Sequence, residues 1–482
     1  MRKLTVAGLQ AHLDLTSQQS MLLDVRCRQE NTCLIAGMLR KTIYIFALLA
    51  MVSTAHAVDL MTVYRQAVQT NPQLRAAASS LQAVREQRPQ AIAGLLPTLS
   101  INSSLKRKRF KARDPSQPAR FSTDKIASLD LRQPLFRYES WIQLKQSDSE
   151  IAAAEADYAA AEQALMVLVA ERYFGVLDAQ DNLEFAEAEK SAIGRQLEQA
   201  SQRFDVGLIA ITDVKAAQAR YDLSVSLEIQ AVSKLVEAKD TLREVAGIYY
   251  DNLAPLKADL KLERPQPDSP ESWIEQAEKQ NLKIMAAQAR TETAQQEIRR
   301  QRAGHLPTLD LNASASYIDI NFGGIAPIRR DDSEIGVELN VPLYQGGLVN
   351  SRTRQARSRF QEATELLQQE IRAAEFETRN AYRGVVTDIA QVKALSQSLE
   401  STKIAVEAEE AGFEVGTRTI VDVLNAQREK FLAKLTYSRA RYLYVVDQLR
   451  LKKAAGILDG EDILEVNRAL GSVTATAVPT GK

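Results

Sequence analysis

The sequence predicts a mainly α-helical protein with a membrane β-barrel portion, in which coiled-coil helices build a tunnel and four strands per chain contribute to a shared barrel. Three observations predict it. Apolar residues recur at 3.5-residue spacing through two stretches of about 65 residues each, the signature of coiled-coil packing. Four shorter segments alternate apolar and polar residues, as a sheet with one apolar and one wet face requires. The whole pattern occurs twice, offset by about 209 residues.

The duplication sets the order of elements. Asn71-Pro-Gln-Leu74 recurs as Asn281-Leu-Lys-Ile284, and Gly94-Leu-Leu-Pro97-Thr98-Leu99 as Gly304-His-Leu-Pro307-Thr308-Leu309. Gln133-Pro134-Leu135-Phe136 matches Val341-Pro342-Leu343-Tyr344, and Phe204-Asp-Val206-Gly207 matches Phe413-Glu-Val415-Gly416. Ile211-Thr212-Asp213-Val214 matches Ile420-Val-Asp422-Val423. Ordered matches at one offset place a first repeat at 58–248 and a second at 271–457, joined by a Pro-rich linker at 249–270. That linker and residues 458–470 are expected to form a band around the middle of the tube, and the tail to 482 to be disordered.

Each repeat reads helix, strand, strand, long helix, turn, helix. The first helix is expected over 59–94 and its counterpart over 270–304, with Ser269 as N-cap and Pro270 at the first position. Pro97, Pro134, Pro307 and Pro342 mark transitions between helix and strand, because proline biases the preceding residue away from the helix. Leu309, Leu311, Ala313, Ala315 and Tyr317 alternate with polar residues, as do Ile335, Val337, Leu339 and Val341. The first repeat carries a fainter version in Leu99, Ile101 and Leu105, then Ala127, Leu129 and Leu131. The long helices follow over 140–204 and 350–413. Met166, Val169, Tyr173, Val176 and Leu183 form one seam; Val385, Ile389, Val392, Leu399, Val406 and Phe413 form the other.

Composition and the N-terminus narrow the function. Basic and acidic residues balance at 61 each, which argues against a nucleic-acid binder. Residues 38–57 have a basic start (Arg40, Lys41), an apolar run and a small-x-small end at Ala55-His56-Ala57, the pattern of a cleaved signal peptide. Met38 is therefore expected to be the start and 1–37 an upstream translation artefact, the alternative being an unusually long N-terminal extension. Cleavage removes Cys27, Cys33 and two of the three histidines, leaving His305 without a second ligand. No metal, cofactor or catalytic residue is expected.

Strands of some ten residues cross an outer membrane when tilted. Lipid tolerates no unpaired backbone group, so a lone four-stranded sheet cannot stand there and strands must be pooled between subunits.

At this point the residues resemble a known family. The paired Leu-Pro-Thr-Leu turns, the Pro-Leu-Tyr-Gln-Gly-Gly stretch over 342–347 and Val415-Gly-Thr-Arg-Thr-Ile-Val-Asp-Val-Leu424 are similar to the TolC family across about 59–470. The resemblance implies a homotrimer with a twelve-stranded barrel and a periplasmic helical tunnel. It implies an exit duct for drugs, small molecules and type I secreted proteins, with a periplasmic adaptor and an inner-membrane ABC, RND or MFS pump as partners.

Gly207 and Gly416 stand where the helical hairpins turn, as glycine after a helix end does. The resemblance makes these tips, Val206-Gly207-Leu208 and Val415-Gly416-Thr417, the adaptor-docking surface. Asp422 fits a capping box begun by Thr419, and threefold symmetry would also make it a carboxylate ring that selects cations. Arg418, Arg441 and Thr212 match the family's gate positions, and Asp213, the repeat partner of Asp422, is expected at the gate with them. Asn425 replaces a second acidic residue, and Phe413 a tyrosine whose hydroxyl could bond Asp213, so a gate with weaker hydrogen bonding is expected.

Lys106–Arg120 is strongly basic and is expected to be an exterior loop between strands. A solvated loop is the plainer reading; attraction to anionic lipopolysaccharide is the functional one. The rival classes are a periplasmic adaptor and a structural coiled coil. Adaptors have long hairpins but lack duplicated strand pairs.

Overall fold

The computed structural model describes residues 57–111, 119–322 and 326–471. Residues 1–37, the signal segment apart from Ala57, and the tail beyond 471 lie outside the described residues. Helices α1 (Leu60–Thr70), α2 (Pro72–Arg85) and α3 (Gln87–Ala93) lead into strands β1 (Thr98–Phe110) and β2 (Arg120–Phe136). A 68-residue helix, α4 (Tyr138–Asp205), follows, then α5 (Ile211–Ala246). The second half repeats the order with α6 (Pro270–Gln280), α7 (Leu282–Arg302), β3 (Thr308–Phe322), β4 (Ile328–Asn340), the 67-residue α8 (Leu348–Glu414) and α9 (Ile420–Ala455). A short α10 (Gly460–Arg468) closes the described chain.

At 1.5 Å per residue α4 and α8 are rods of about 100 Å, and α5 and α9 of about 54 Å. Neither long helix contains a proline. Val169, Tyr173 and Val176 of α4 are fully buried, as is Val385 of α8, with Ile389, Val392 and Val406 buried along the same seam. Leu183, Leu399 and Phe413 are half-buried.

The first helix of each repeat is broken rather than continuous. Asn71 takes an extended backbone (φ −64°, ψ 120°), and its side-chain oxygen accepts from the amides of Gln73 and Leu74. Asn281 does the same for Lys283 and Ile284. An asparagine that caps the following helix withdraws its own backbone from the preceding one. Ser269 stands at the N-cap of α6 with Pro270 after it, but its hydroxyl bonds Glu271 rather than the helix backbone.

The main core lies at mid-height. Tyr173, wholly buried, directs its hydroxyl at the carbonyls of Ala254 (2.8 Å) and Val58 (3.0 Å). Phe174 stacks on Tyr442 with centroids 5.6 Å apart. The bridge Val58–Leu253 binds the linker to the segment before α1, the bridge Leu256–Leu470 binds the linker to the C-terminal segment, and Asn467 donates to Asp59 at 2.8 Å. Burial of both segments against the helices is thus built from backbone pairing as well as from apolar side chains.

The four strands form one antiparallel sheet in the order β1-β2-β3-β4. Cross-strand partners share a face, so Leu99, Ile101, Leu129, Leu131, Leu311, Ala313, Val337 and Ile335 form one apolar surface. Ile101 is 79% and Ile335 75% exposed within one chain, so this apolar surface is left for an interaction outside the chain. The opposite face is polar and internally bonded: Asn102 donates to Asp130 (2.8 Å), Asn312 to Glu338 (2.9 Å), and Arg132 and Arg137 both reach Asp310. The strands run 13, 17, 15 and 13 residues, longer than the ten or so expected. Lys106–Arg109 therefore belong to β1 and Arg120 to β2, which corrects the reading of 106–120 as a loop. Partner strand β2 supplies backbone bonds to this charged stretch, and the sheet overrides its composition.

The prolines differ in what they end. Pro97 and Pro307 stand immediately before β1 and β3. Pro134 lies inside β2, next to a register shift before Phe136. Pro342 falls after β4, in the segment leading to α8.

Candidate gate at the hairpin tips

Both hairpins turn through the same backbone motif. After α4 the amide of Leu208 bonds the carbonyl of Arg203 (2.8 Å) and that of Gly207 the carbonyl of Phe204 (2.8 Å). After α8 Thr417 bonds Gly412 (2.9 Å) and Gly416 bonds Phe413 (3.1 Å). Gly207 and Gly416 have φ of 77° and 80°, left-handed values that this Schellman turn requires of its glycine. Val206, Leu208 and Val415 project from the turns and are more than two-thirds exposed, an apolar fringe among the described residues.

Above the turns, the two hairpins of one chain share a small core. Ile193 and Ala200 of α4, Ala217 of α5, and Ile420 and Leu424 of α9 are buried together, with Phe413 packed against them. The Arg203 guanidinium lies 4.4 Å from the centre of the Phe413 ring, so the phenyl ring serves as a cation platform between the hairpins. Asn425 accepts from Arg220 of α5 at 3.2 Å, tying α9 to α5. Arg418 pairs with Glu409 at 3.4 Å across its own turn. Gln427 donates to Glu410 at 2.8 Å.

The two acidic residues differ in what holds them. Thr419 and Asp422 complete a capping box: Asp422 accepts from the Thr419 amide (2.9 Å) and hydroxyl (2.7 Å), and the Asp422 amide bonds the Thr419 hydroxyl (3.3 Å). These hydrogen bonds, then the nearby Arg418 charge, hold the Asp422 carboxyl below the usual carboxylate range. Asp213 stands at the same place in α5, but Ala210 replaces the capping threonine and that helix has no side-chain cap. Thr212 lies beside it in the first turn of α5.

Arg441 does not join this group. It lies 21 residues into α9, about 32 Å from the tip. Its guanidinium stacks on Tyr437 and donates to the carbonyl of Lys257 in the mid-height band. Sequence reasoning missed Arg203, Arg220 and Glu409, the partners that engage Phe413, Asn425 and Arg418. Their signal was weak, because heptad spacing says which residues face inward and not which helix they face.

No group of three or more His, Cys, Asp or Glu residues able to hold a metal occurs among the described residues. No helix among them is long and apolar enough to cross a membrane. The described chain thus joins a four-stranded sheet with one apolar face to long helices that end in two closed hairpins.

Comparison with known proteins identifies the class. The outer membrane efflux protein family model matches twice, over residues 63–248 and 273–457, which is the internal duplication itself. The chain is 37% identical to the outer membrane protein TolC of Escherichia coli over 435 residues, covering 88% of this chain and 87% of that one. It is 37% identical to TolC of Vibrio cholerae, covering 89% and 98%. A solved membrane protein from Pseudomonas aeruginosa superposes with a TM-score of 0.72 at 20% identity, covering 83% of this chain and 91% of that one. VceC of Vibrio cholerae gives 0.69 at 20% identity, covering 82% and 96%. The chain belongs to the outer membrane efflux protein family. It is an outer-membrane channel protein that exports and does not catalyse.

Proposed function

We propose that three copies of this chain assemble into a passive exit duct whose barrel holds twelve strands and whose helices form a periplasmic tunnel. The observation that carries the reading is the sheet: β1 and β4 are both edges, and four strands are too few to close on one another. Up-down alternation of an even number of strands lets β4 of one copy pair antiparallel with β1 of the next, which satisfies every backbone group in lipid. Apolar stripes support the same assembly. Ile229, Val232 and Val236 of α5 are exposed at helical spacing within one chain and need a neighbour to cover them.

In this reading the tips close the duct at its periplasmic end. Arg418, Asp213, Thr212 and Asp422 stand at the turns, with Phe413 and Asn425 engaged inside the chain and Arg441 bracing the mid-height band. Relatives named for alkaline protease secretion in Pseudomonas aeruginosa, 28% identical, and for outer membrane efflux in Brucella suis, 24% identical, support export of proteins and of small molecules. A periplasmic adaptor docks on the exposed Val206, Leu208 and Val415 fringe, and an ABC, RND or MFS pump drives cargo from the inner membrane.

Mass measurement in detergent tests the assembly and deletion tests the role. A trimeric mass in the outer-membrane fraction, with drug sensitivity and lost secretion in the deletion strain, is expected. A water-soluble monomer, or a deletion without either phenotype, overturns the reading.

A further inference from the structure

The apolar surface of the sheet ends abruptly and a basic one begins. On β1 and β2 the outward pairs run Leu99–Leu131, Ile101–Leu129, Ser103–Ala127 and Leu105–Lys125, then Arg107–Thr123 and Arg109–Phe121. Side chains two apart on a strand share a face, so Arg107 stands about 7 Å beyond Leu105 on the surface that meets lipid. Both guanidinium groups gather over one ring: Arg107 lies 5.3 Å and Arg109 6.0 Å from the centre of Phe121. Lys125, opposite Leu105 on β2, is a further cation of the same face. Its cross-strand neighbour Asp319 is engaged by Arg329 at 3.5 Å.

Other cations of the sheet stand beside carboxylates: Arg329 meets Asp319 at 3.5 Å on the same outward face. On the polar face Lys108 pairs with Asp124 at 2.6 Å, and Arg132 with Asp310 at 2.8 Å. Among the described residues no carboxylate pairs with Arg107 or Arg109. Two arginines on the outward surface, stacked on an aromatic ring and without a carboxylate partner among the described residues, suit an anion supplied by the lipid itself. Arginine presents a planar fork that matches phosphate oxygens in pairs.

We propose that Arg107 and Arg109, held over Phe121 and supported by Lys125, form a clasp for the phosphates of an outer-leaflet glycolipid. This rests on the duct reading, which hangs the helical rods in the periplasm and so puts the far end of the sheet in the outer leaflet. The level agrees: the clasp begins one pleat repeat beyond the last apolar outward residue of β1, where acyl chains give way to headgroups. An aromatic ring at that boundary is where interfacial rings settle, and Phe121 carries both cations on it.

The test titrates bisphosphorylated lipid A, its dephosphorylated form and inorganic phosphate onto the full-length protein in a neutral detergent. Each basic residue near an anionic lipid surface is worth about fivefold in affinity at low salt. Arg107→Ser/Arg109→Ser should therefore bind lipid A about thirtyfold more weakly. The charge-conserving Arg107→Lys/Arg109→Lys variant should stay within a few-fold of the parent, since lysine keeps the charge and loses the fork. Wild-type protein should prefer the phosphorylated lipid and lose affinity with added salt. Equal binding of lipid A by the serine variant, or indifference of the wild type to dephosphorylation, overturns the clasp. Competition by millimolar inorganic phosphate also overturns it, in favour of a free-anion site. Conductance in phospholipid bilayers is recorded in parallel and should be the same in all variants. Loss of conductance in the wild type itself would strike the duct reading and leave the lipid measurement standing.

Discussion

Asn281 donates a 2.8 Å hydrogen bond from its side-chain amide to the carbonyl of Ala454, and so ties the break between α6 and α7 to the last turn of α9. Its repeat counterpart Asn71 reaches the carbonyl of Val245 at 3.4 Å, the equivalent place at the end of α5. One residue type does three things at each site. It ends one helix, caps the next and fastens a third, which is why the duplicated unit keeps its broken helix in both copies.

The two asparagines are expected to differ in weight. Asn281→Ala removes the cap and a well-formed buried bond, for a loss of about 2 kcal/mol. Asn71→Ala removes the cap and only a long bond, so its cost is nearer 1 kcal/mol. Apparent melting temperatures of the two variants in detergent check the order. A larger drop for Asn71→Ala would deny that the bond to Ala454 matters.

The helix ends these residues hold also depend on Gly456 and Gly247, both left-handed at φ 79° and 81°. They are not equivalent in space. A methyl on Gly456 would stand 2.2 Å from the carbonyl oxygen of Gln280 and 2.8 Å from the Cα of Asn281, and backbone cannot yield. At Gly247 the nearest atoms belong to the Thr70 side chain at 3.2 Å. Gly247→Ala should therefore cost roughly 1–2 kcal/mol, the left-handed penalty alone. Gly456→Ala should cost more than about 3 kcal/mol or prevent assembly. Yield and thermal stability of the two variants are the measurement; similar behaviour would contradict the close packing at Gln280.

These contacts mark where sequence reading stopped. The heptad seams were legible because Val169, Tyr173, Val176 and Val385 are apolar at fixed spacing and are buried for that reason. Alternation disclosed the sheet wherever one face is apolar, as at Leu309–Tyr317. The breaks at Asn71 and Asn281 were not legible, since apolar periodicity continues across them; Pro72, a favoured first helical residue, was the available signal in one copy. Lys106–Arg109 passed for a loop because a run of charge usually is one, and only pairing with β2 extends it as strand. At the tips the capping box at Asp422 was visible from Thr419, whereas the Arg203–Phe413 stack needs two helices brought together from opposite halves of the chain.

A buried acid gives the tube a pH dependence. Asp388 of α8 is buried and faces Asp447 of α9, which itself accepts from Arg450 at 2.8 Å, and Arg450 also reaches Glu171 of α4 at 2.6 Å. Burial first, then repulsion from Asp447 and a hydrogen bond shared with it, pushes the Asp388 carboxyl up to about 6, with Arg450 opposing. The folded chain then holds a proton that the unfolded chain releases at about pH 4. Between these values the folded form binds more protons, so stability falls as pH rises from about 4 through 6 and is level above. The expected span is on the order of 1–3 kcal/mol per chain. Asp388→Asn keeps a hydrogen-bond donor toward Asp447 and removes the titration. Melting curves from pH 4.5 to 7.5 should slope for the wild type and lose most of that slope in the variant; an unaltered slope would assign it to another group.

The capping box at the tip and a ring of charge at the duct mouth ask different things of Asp422, and two substitutions separate them. Thr419→Ala takes the hydroxyl from the box but leaves the carboxylate, so amides in the first turn of α9 should exchange severalfold faster while cation preference in bilayer conductance stays. Asp422→Ala removes both the Thr419 amide's acceptor and the charge, so faster exchange should be joined by lower cation preference. Because hydrogen bonds from Thr419 hold the carboxyl below its usual range, the wild-type preference should also persist unchanged from pH 8 down to about 5. Selectivity that survives Asp422→Ala would leave Asp422 a helix cap alone. The mouth would then draw its charge from Asp213, whose helix has Ala210 at its N-cap and no side-chain cap to engage it.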